Sequence, residues 1–576
     1  MRSRLIVFCV VLFCANFVQA QGFLQAKGKL IVNGKGEKII LRGMGLGGWM
    51  LQEGYMFRLS NIGQQHRIRE KITDLVGLQK AAAFYTAWLD QHTTRKDIEA
   101  LARWGFNSVR LPMHYRLYTL AVEEEPVAGK NTWLEEGFAR TDSLLAWCAQ
   151  NHIYLILDLH ATPGGQGHDL PISDRYPERP SLWESAANRE KMIALWQKLA
   201  QRYVDKTWIG GYDIINEPNW GFTDSTDKNG IKEKLNVPLR ELMVSITEAI
   251  RAVDKNHIII IEGNGFGNNY NGVLPQWDSN MVLSFHKYGN FNQAGAIRNF
   301  LDLRDRYNLP LWMGESGENS NTWFTEAVRL VESNDIGWAW WQEKKMGINN
   351  PVEVIMPEGY KQLLDYWSGK GPRPTEDEAW RTLQGLLHNI SIDNNRYHPD
   401  VTDALFRQVY DPTAKPFKEV HLGKGPVTIQ AVDFDLGPQR VAYYDRDTAS
   451  YQYTPGVRTR GNRGSTYRND GVDIEGGATP YVFNIEDSEW LQYTIYVDKP
   501  ATYSINFTTA SDSTAGCLSL LVDGKERVHE LALPPTGSST GWTATSLQTI
   551  HLDKGLHRLR IFAVRGGFNL QSFQFR

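Results

Sequence analysis

The chain has 576 residues and a formal net charge of −3, with 62 basic and 65 acidic side chains. No basic block interrupts this balance, which excludes proteins that hold nucleic acids through a dense positive surface. The length is sufficient for about two domains with large cores.

The first 20 residues have the pattern of a removable signal peptide. A basic start, Met1 to Arg4, precedes a short apolar run and the small-residue site at Ala20. The apolar run is too short to span a bilayer comfortably. We therefore expect export to the extracellular space, the periplasm or the cell surface. Cys9 and Cys14 fall within this segment, and the two remaining cysteines are far apart, so a disulfide framework is not expected.

Eight apolar, strand-like runs alternate with amphipathic helical segments from about residue 28 to 345. Strands buried on both faces and separated by helices predict an α/β fold, a (β/α)8 TIM barrel, with its chemistry at the carboxyl ends of the strands. The predicted strands are 39–43, 106–113, 153–160, 212–217, 257–262, 282–288, 311–315 and 336–341.

The remainder of the chain divides at a change of composition. Residues 346–411 read as an extension of the barrel, with helical pieces such as 376–387, which either shapes the mouth or packs on the barrel. A Pro- and Gly-rich stretch, 412–427, predicts a linker. Short alternating strands in 428–576 predict an all-β jelly-roll sandwich. The predicted barrel domain is thus 21–411.

Two of the predicted strands end in carboxylates, at Asn216-Glu217-Pro218 and at Gly314-Glu315. Two acids at one barrel mouth suit cleavage of a glycosidic bond, because one protonates the leaving oxygen while the other meets the charge developing on the sugar. The alternative is that both are ordinary surface acids. The 19 Trp and 24 Tyr favour a carbohydrate ligand, since flat aromatic faces stack on sugar rings, although most such residues are core.

The residues at the strand ends, in their order, resemble glycoside hydrolase family 5, a family of retaining barrel glycosidases. The resemblance implies Glu217 as acid/base and Glu315 as nucleophile. It further implies a substrate-binding set in which Asn216 binds the sugar 2-hydroxyl, Tyr288 and Arg110 hold Glu315 ionised, His160 and His286 line the cleft, and Trp341 forms the sugar platform. Trp338 and Trp340 are alternatives for that platform.

The same chemistry follows from the side chains themselves. A cationic Arg and a phenol favour a charged Glu315, whereas Glu217, without a cation in sequence reach, keeps its proton. Glu262 either lines the cleft or makes a structural hydrogen bond, and His114 either reaches substrate or packs. Glu318 and Glu343 read as loop acids. The histidines lack metal-ligand spacing, so no metal or other cofactor is expected.

Residues 41–49 are similar to the exo-β-1,3-glucanase branch of family 5, which implies a β-glucan substrate, β-1,3- or β-1,4-linked, rather than xylan or mannan. The glycines at 43–48 formally match a dinucleotide-binding motif, but Trp49 and further apolar residues replace the helix that motif requires. We expect instead a tight turn that brings Trp49 towards the substrate. An insertion at 162–180 would close one end of the cleft and favour exo action.

Three segments of the last region, 467–475, 489–494 and 566–570, resemble carbohydrate-binding module family 6. The resemblance implies that Tyr467 and Trp542 sandwich a sugar ring and that Asn569 hydrogen-bonds it, with Trp490 in the core. Where that family carries the acids of a structural calcium site, this chain has Gln430, Val432 and Gln571. Hard cations need such oxygen ligands, so we expect the calcium to be lost or weakly bound.

The sequence therefore predicts a monomeric, secreted, retaining β-glycosidase whose partner is a polysaccharide or oligosaccharide. No nucleic acid and no membrane span are expected. Two alternatives stay open: the same enzyme class acting on xylan or mannan, and a non-catalytic glycan-binding protein.

Overall fold

The structure, a computed structural model, describes residues 22–59, 61–224, 226–423, 425–449 and 461–576. The predicted signal peptide lies outside these residues. No helix in the described part of the chain combines the length and apolarity that crossing a membrane requires.

The eight predicted strands form a closed parallel barrel, in which β8 pairs with β1 through Trp338 and Arg42. The predicted barrel is confirmed. The strands are β1 Arg42–Gly45, β2 Ser108–His114, β3 Tyr154–Ala161, β4 Ile209–Asp213, β5 Ile259–Ile261, β6 Met281–Lys287, β7 Leu311–Gly317 and β8 Gly337–Trp341.

Burial on both faces explains why these segments read as continuous apolar runs. Every residue of β2, β3, β6 and β7 is buried, including the polar ones at their carboxyl ends. The predicted fourth strand extends too far, because β4 ends at Asp213 rather than at Glu217. Glu217 instead lies in a turn with a left-handed φ of 41°.

Helices surround the barrel. Helical periodicity in the sequence predicts the segments 95–104, 132–151, 182–204, 237–253 and 294–307, so two of the long helices were not predicted. The helix Gln65–Gln91 contains Gly77 at φ 77°, which breaks its apolar periodicity, and Asn321–Glu332 begins directly after the β7 loop. The prediction of Arg95–Trp104 is correct, and a capping box between Thr94 and Asp97 fixes its start. The other barrel helices are Glu135–Gln150, Ala186–Tyr203, Val237–Arg251 and Arg298–Tyr307, with short ones at Leu170–Ser173 and Asn264–Gly267.

The amino end of the barrel is plugged by an antiparallel hairpin, Gln25–Lys27 with Leu30–Val32. Its neighbour Leu24 and its own Ile31 pack with the inward-facing Ile156, Ile260 and Trp312. Because this end is filled by apolar side chains, the open end of the barrel is the carboxyl mouth.

The extension packs on the barrel, which decides between the two roles left open by the sequence. Its helix Glu376–Ile390 lies against Gln65–Gln91 in one apolar cluster that also contains Met346 and Trp341. The extension therefore supports the mouth from outside. Its other helices are Tyr360–Trp367, Pro399–Leu405 and Arg407–Tyr410.

The last region is a sandwich of two largely antiparallel sheets, as predicted. Asp523 and Gly524, both at positive φ, make the two-residue hairpin turn expected between two of its strands. One sheet contains His421–Leu422, Tyr443–Tyr444, Trp490–Val497, Gly516–Val522, Lys525–Leu533 and Gly555–Arg565. The other contains Val427–Gln430, Ile474–Glu475, Tyr481–Val482, Ala501–Ser511, Ser538–Ala544, Gln548–Leu552 and Asn569–Phe575. The first strand of the first sheet falls inside the segment predicted as a linker.

Candidate active site

The carboxyl ends of the strands bring the predicted site residues to one mouth. Arg110 lies in β2, His160 in β3, His286 in β6, Glu315 in β7 and Trp341 at the end of β8. The turn after β4 carries Asn216 and Glu217, and Tyr288 directly follows β6. All of them except Tyr288 are buried.

Glu217 and Glu315 face each other around His286. One carboxylate oxygen from each and a nitrogen of His286 lie within 4.8 Å of one another. His286 Nδ1 is 2.6 Å from Glu217 Oε1 and 3.6 Å from Glu315 Oε2. Retaining glycosidases hold their two carboxyl groups about 5–5.5 Å apart and inverting ones about 6.5–9.5 Å. The two nearest carboxylate oxygens are therefore closer together than the inverting spacing.

Glu315 has the two donors that the sequence suggested. Arg110 Nη1 is 2.5 Å from its Oε1, and the Tyr288 hydroxyl donates to its Oε2 at 3.1 Å. Burial nevertheless raises the pKa of Glu315 above its ordinary value, although His286 and Arg110 oppose this effect. The prediction that Arg110 and Tyr288 keep Glu315 ionised did not take this effect of burial into account.

Arg110 also contacts three further acids. Two of them, Asp158 and Asp213, were not predicted as site residues, and the role of the third, Glu262, was left open. Arg110 lies 3.2 Å from Asp158, 2.8 Å from Asp213 and 3.2 Å from Glu262. Burial raises the pKa of Asp158 to about 8 even beside this cation. The available signal was an aspartate inside each of two apolar strands, since an acid there must be paired or protonated.

Glu217 also has a partner that the sequence did not show. Its nearest cation is His286, which lies beyond the sequence reach on which the prediction for Glu217 was based. Burial opposes protonation of His286, but Glu262, Glu315 and Glu217 outweigh it and hold the pKa of His286 well above its ordinary value. The strands β4 and β6, which flank β5 in the barrel, place this imidazolium beside the acid although 69 residues separate the two in sequence.

Glu262 makes the structural hydrogen bond, one of the two roles left open for it. Its Oε2 accepts from the Glu217 backbone N–H at 2.7 Å, and its Oε1 lies 3.1 Å from His286 Nε2. A non-glycine residue at positive φ costs roughly 1–3 kcal/mol and persists only where its surroundings hold it. Glu262 provides that hold for the Glu217 turn.

Asn216 and His160 continue the network away from the two acids. Asn216 Oδ1 accepts from Arg110 at 2.8 Å, and its Nδ2 lies 3.1 Å from His160 Nε2. Burial lowers the pKa of His160 to about 4, so the ring is neutral at ordinary pH. Its Nδ1, 2.7 Å from Asp158, then carries the proton and Nε2 accepts.

Among the three candidate platforms, Trp341 is the one at the mouth. Its ring lies parallel to His160 at a centroid distance of 5.2 Å, and its Nε1 donates to the Tyr55 hydroxyl at 2.8 Å. Trp338 and Trp340 are fully buried, where they pack on Phe406 and Phe324.

The glycine-rich turn serves Trp341 rather than Trp49. A Cβ on Gly45 or Gly47 would come within 2.6 or 2.8 Å of the Trp341 ring, so only glycine allows this approach. Trp49 does not face substrate, because it is buried in the core and donates to the Leu89 carbonyl. The prediction that the turn aims Trp49 at the cleft is therefore wrong.

Glu53 and Tyr55 belong to the site and were missed. Glu53 is buried, and burial together with the nearby Glu315 and Glu217 holds its pKa well above the ordinary value. Both residues follow the glycine-rich turn after β1. Their position at the carboxyl end of a barrel strand was the available signal.

Three other candidates have partners other than the two proposed catalytic acids. His114 pairs with Asp174 at 3.0 Å, so packing rather than substrate contact explains it. Glu343 does lie in a loop, at the bend after β8, but it is fully buried near Asp97, and burial raises its pKa to about 8. Glu318 does lie in a loop, where it pairs with Lys345.

One group of three potential metal ligands occurs in the described part of the chain, and it consists of Glu217, His286 and Glu315. Their mutual hydrogen bonds and charges account for the arrangement. The expectation that the enzyme needs no metal stays a prediction.

The sandwich residues proposed to bind sugar are only partly brought together. Trp542 lies edge-on to Tyr481 at 4.8 Å, and Asn569 Nδ2 donates to the Ser539 carbonyl. The Tyr467 hydroxyl instead bonds Asp433, so the Tyr467–Trp542 sandwich stays a prediction. Trp490 is not core, because it is half-buried with the Arg560 guanidinium 3.7 Å above its ring.

The residues at the positions of the family's calcium ligands do not form an acidic set. Val432 is part of the apolar core, and Gln430 pairs with Ser572 in the adjacent strand. The expected loss of calcium stays a prediction.

Comparison with known proteins assigns both regions. The family model described as cellulase (glycosyl hydrolase family 5) matches residues 70–347, and that of carbohydrate binding module family 35 matches residues 468–575. The expected assignment of the module to family 6 is thus not confirmed.

Several named proteins are similar to this chain. A β-xylosidase of Phanerodontia chrysosporium is 28% identical over 409 residues, which cover 64% of this chain and 80% of that protein. Endoglucanase C of Acetivibrio thermocellus is 24% identical, over 45% of this chain and 85% of that protein. A probable glucan 1,3-β-glucosidase A of Emericella nidulans is 28% identical, over 46% of this chain and 61% of that protein.

Among solved structures, the β-glucanase SdGluc5_26A from Saccharophagus degradans is 16% identical, over 65% of this chain and 95% of that one, with a TM-score of 0.38. The family match falls on the barrel, and the related proteins that it resembles in sequence are named as glycosidases. Residues 70–347 therefore belong to a glycoside hydrolase family 5 domain, and the chain is an O-glycosyl hydrolase that carries a carbohydrate-binding module.

Proposed function

We propose that the protein is a secreted, retaining β-glycoside hydrolase that cleaves β-glucan by double displacement, with Glu315 as nucleophile and Glu217 as acid/base. The observation that carries the proposal is the close approach of the two carboxylates, with one oxygen of each within 4.8 Å of the other and of His286. That separation leaves no room for the water that an inverting enzyme holds between its carboxyl groups.

In the first step a Glu315 oxygen attacks the anomeric carbon while Glu217 gives its proton to the departing oxygen. A covalent glycosyl–enzyme results. Glu217, now a carboxylate, takes a proton from water, and that water displaces Glu315 from the sugar. His286 and Arg110 supply the positive charge that a site with several buried carboxylates needs, and Glu262 fixes the backbone of Glu217.

The substrate is the finer part of the proposal. The similarity of residues 41–49 to exo-β-1,3-glucanases supports β-glucan, as do relatives named endoglucanase and glucan 1,3-β-glucosidase. Xylan is the second candidate, favoured by the relative named β-xylosidase, which aligns with 64% of this chain. The sandwich would hold the enzyme on the polymer and raise its effective concentration there.

The roles of the two acids are tested with activated and unactivated substrates. Glu315→Gln removes the nucleophile, so hydrolysis of both a dinitrophenyl β-glycoside and an oligosaccharide falls by several orders of magnitude. Glu217→Ala spares the first step on the dinitrophenyl glycoside, whose leaving group needs no proton, and external azide then speeds release of the glycosyl enzyme. Equal losses on both substrates in Glu217→Ala, without azide rescue, would contradict the assignment.

Substrate and mode of action are tested together on a panel of β-1,3-, β-1,4- and mixed-linkage glucans, xylan and mannan. Reduced laminarin reports the mode, because an exo enzyme releases glucose first. The insertion supports exo action: His168, within it, stacks at 4.0 Å on Trp220, three residues beyond Glu217. Early release of mixed oligomers would count against exo action. If xylan were hydrolysed fastest, that would count against a glucanase.

A further inference from the structure

A groove between the barrel mouth and the sandwich, here called the interdomain groove, has a volume of about 390 Å³. Its barrel wall includes Glu318 and Asn319, which directly follow β7, and Asn349, which follows β8. Its other wall includes Ser465 and Asn462 of the sandwich. This volume lies near the lower end of the range of about 300–1,000 Å³ that is usual for a small-molecule site.

The interdomain groove is linked to the cleft through three side-chain contacts. Glu318 lies 2.7 Å from Lys345 Nζ, and that ammonium is 5.7 Å from the centre of the Tyr55 ring. The Tyr55 hydroxyl in turn accepts from Trp341. Because Glu318 is three residues from Glu315 in sequence, the groove lies next to the cleft.

Buried hydrogen bonds hold the two walls together. Asn469 Nδ2 in the sandwich donates to the Asn319 carbonyl at 2.8 Å and to Asn321 Oδ1 at 3.1 Å. The Asn321 backbone N–H donates to the Asn469 carbonyl at 3.0 Å, and the Ser320 hydroxyl bonds the Ala449 carbonyl. The four polar residues that make these bonds are all buried. The two walls are therefore fixed relative to each other, and the groove keeps its shape.

The lining suits sugar hydroxyls. Asn319 is 7% exposed, its Oδ1 accepts from the Ser320 N–H, and its Nδ2 donors have no partner among the described residues. A buried unpaired donor costs roughly 1–3 kcal/mol, which a ligand oxygen would recover once the Asn319 amide turns towards the groove. Of the other lining side chains, five carry amide or hydroxyl groups and three are charged, and Met346 and Ile348 offer apolar contacts for sugar C–H faces.

We propose that the interdomain groove binds a segment of β-linked glycan beyond the two sugar rings that flank the cleaved bond, so that barrel and sandwich form one shared binding site. The inference rests on the proposed glycosidase function. It gives the sandwich a part in substrate recognition at the cleft itself, in addition to attachment to the polymer.

The test compares long and short substrates in the full-length protein. For each variant, kcat/KM is measured on the hexaoses of β-1,3-glucose, β-1,4-glucose and β-1,4-xylose and on the matching nitrophenyl glycosides. Asn349→Trp and Ser465→Tyr fill the groove from its two walls. Gln362→Trp adds a ring at an exposed position on a helix outside the groove and is the control. Asn319→Asp keeps the acceptor for Ser320 and removes the unpaired donor.

Both filling variants should lower the hexaose-to-nitrophenyl ratio by about tenfold, and Asn319→Asp by about threefold to tenfold, while Gln362→Trp keeps the wild-type ratio. Melting temperatures show that each variant is folded. Unchanged ratios in Asn349→Trp overturn the groove as a glycan site, and an unchanged ratio in Ser465→Tyr alone overturns its sharing with the sandwich. If wild type cleaves neither substrate of any pair, the proposed function fails instead.

Discussion

His286 contacts both proposed catalytic acids, and its charge is therefore part of the acid–base chemistry. Three carboxylates raise its pKa well above the ordinary value, so it is an imidazolium over the neutral range. Among the groups that lower the pKa of Glu315, His286 has the largest effect, ahead of Arg110. Removal of His286 should therefore make Glu315 harder to ionise.

The first prediction concerns His286→Asn. Loss of an opposite charge at this distance should move the acid limb of kcat/KM to higher pH by about one to three pH units, because Glu315 must be ionised to attack. Tyr288→Phe removes only a neutral donor to Glu315 at 3.1 Å, so its acid limb should move less. An acid limb that stays in place or moves to lower pH in His286→Asn would contradict this account.

The residues at the site differ in how far sequence could place them. Glu217 and Glu315 follow from two strand-end motifs, since parallel strands open at one mouth and any acid there points at the same space. The contact between His286 and Glu217 depends on the register of β4, β5 and β6 and on the turn at Glu217, which no local pattern encodes. For the same reason the sharing of Arg110 among four acids could not be predicted.

Among the elements, the insertion after β3 is joined to the barrel by a buried carboxylate. Asp174 lies 2.7 Å from His66, at the start of the helix Gln65–Gln91, and 3.0 Å from His114, at the end of β2. Burial disfavours its charged form, but hydrogen bonds from the two histidines outweigh that effect and lower the pKa of Asp174 to about 2. The insertion is thereby joined to two separate elements of the barrel.

The second prediction is that Asp174→Asn lowers the free energy of unfolding by about 1–3 kcal/mol at pH 6. A carboxylate with a depressed folded-state pKa stabilises fully above its unfolded value, about 3.9, and loses that effect as pH falls through about 2. The gap between wild type and variant should therefore narrow from pH 5 towards pH 2. Glu178 lies in the same insertion and forms an exposed pair with Arg67. Glu178→Gln breaks that pair and should lower the free energy of unfolding by about 0–1 kcal/mol. A gap that is constant with pH would show that Asp174 does not act through its charge.

Element boundaries show where periodicity was a sufficient guide. The eight barrel strands were recognisable because burial on both faces gives continuous apolar runs. The helix Gln65–Gln91 was missed because its apolar face changes direction at Gly77, and it is stabilised by packing against the extension rather than by its own pattern. The role of the extension could not be read either, since its partner is more than 270 residues away in sequence.

At the scale of the whole molecule, barrel and sandwich meet at a buried polar junction. Asn321 Nδ2, in the helix after β7, donates to Asp400 of the extension at 2.8 Å and to Asp470 of the sandwich at 3.1 Å. Burial raises the pKa of Asp470, and the charge of Asp400 adds to this effect. One amide thus serves two buried carboxyl groups from two regions, which a flexible tether would not require.

The third prediction follows from this junction. If it couples the two regions, wild type should unfold in a single calorimetric transition, because neither region can open without exposing the other's buried partners. Asn321→Ala leaves Asp400 and Asp470 buried without their common donor, which costs about 1–3 kcal/mol and should separate the sandwich as a second, earlier transition. Asn334→Ala is the matched control, because its amide bonds only to Leu330 and Ser333 within the barrel, so it should shift the single transition without dividing it. Two transitions already in wild type would mean that barrel and sandwich behave as independent units joined by a chain. The interdomain groove would then have no fixed shape, and the shared glycan site would lose its physical basis.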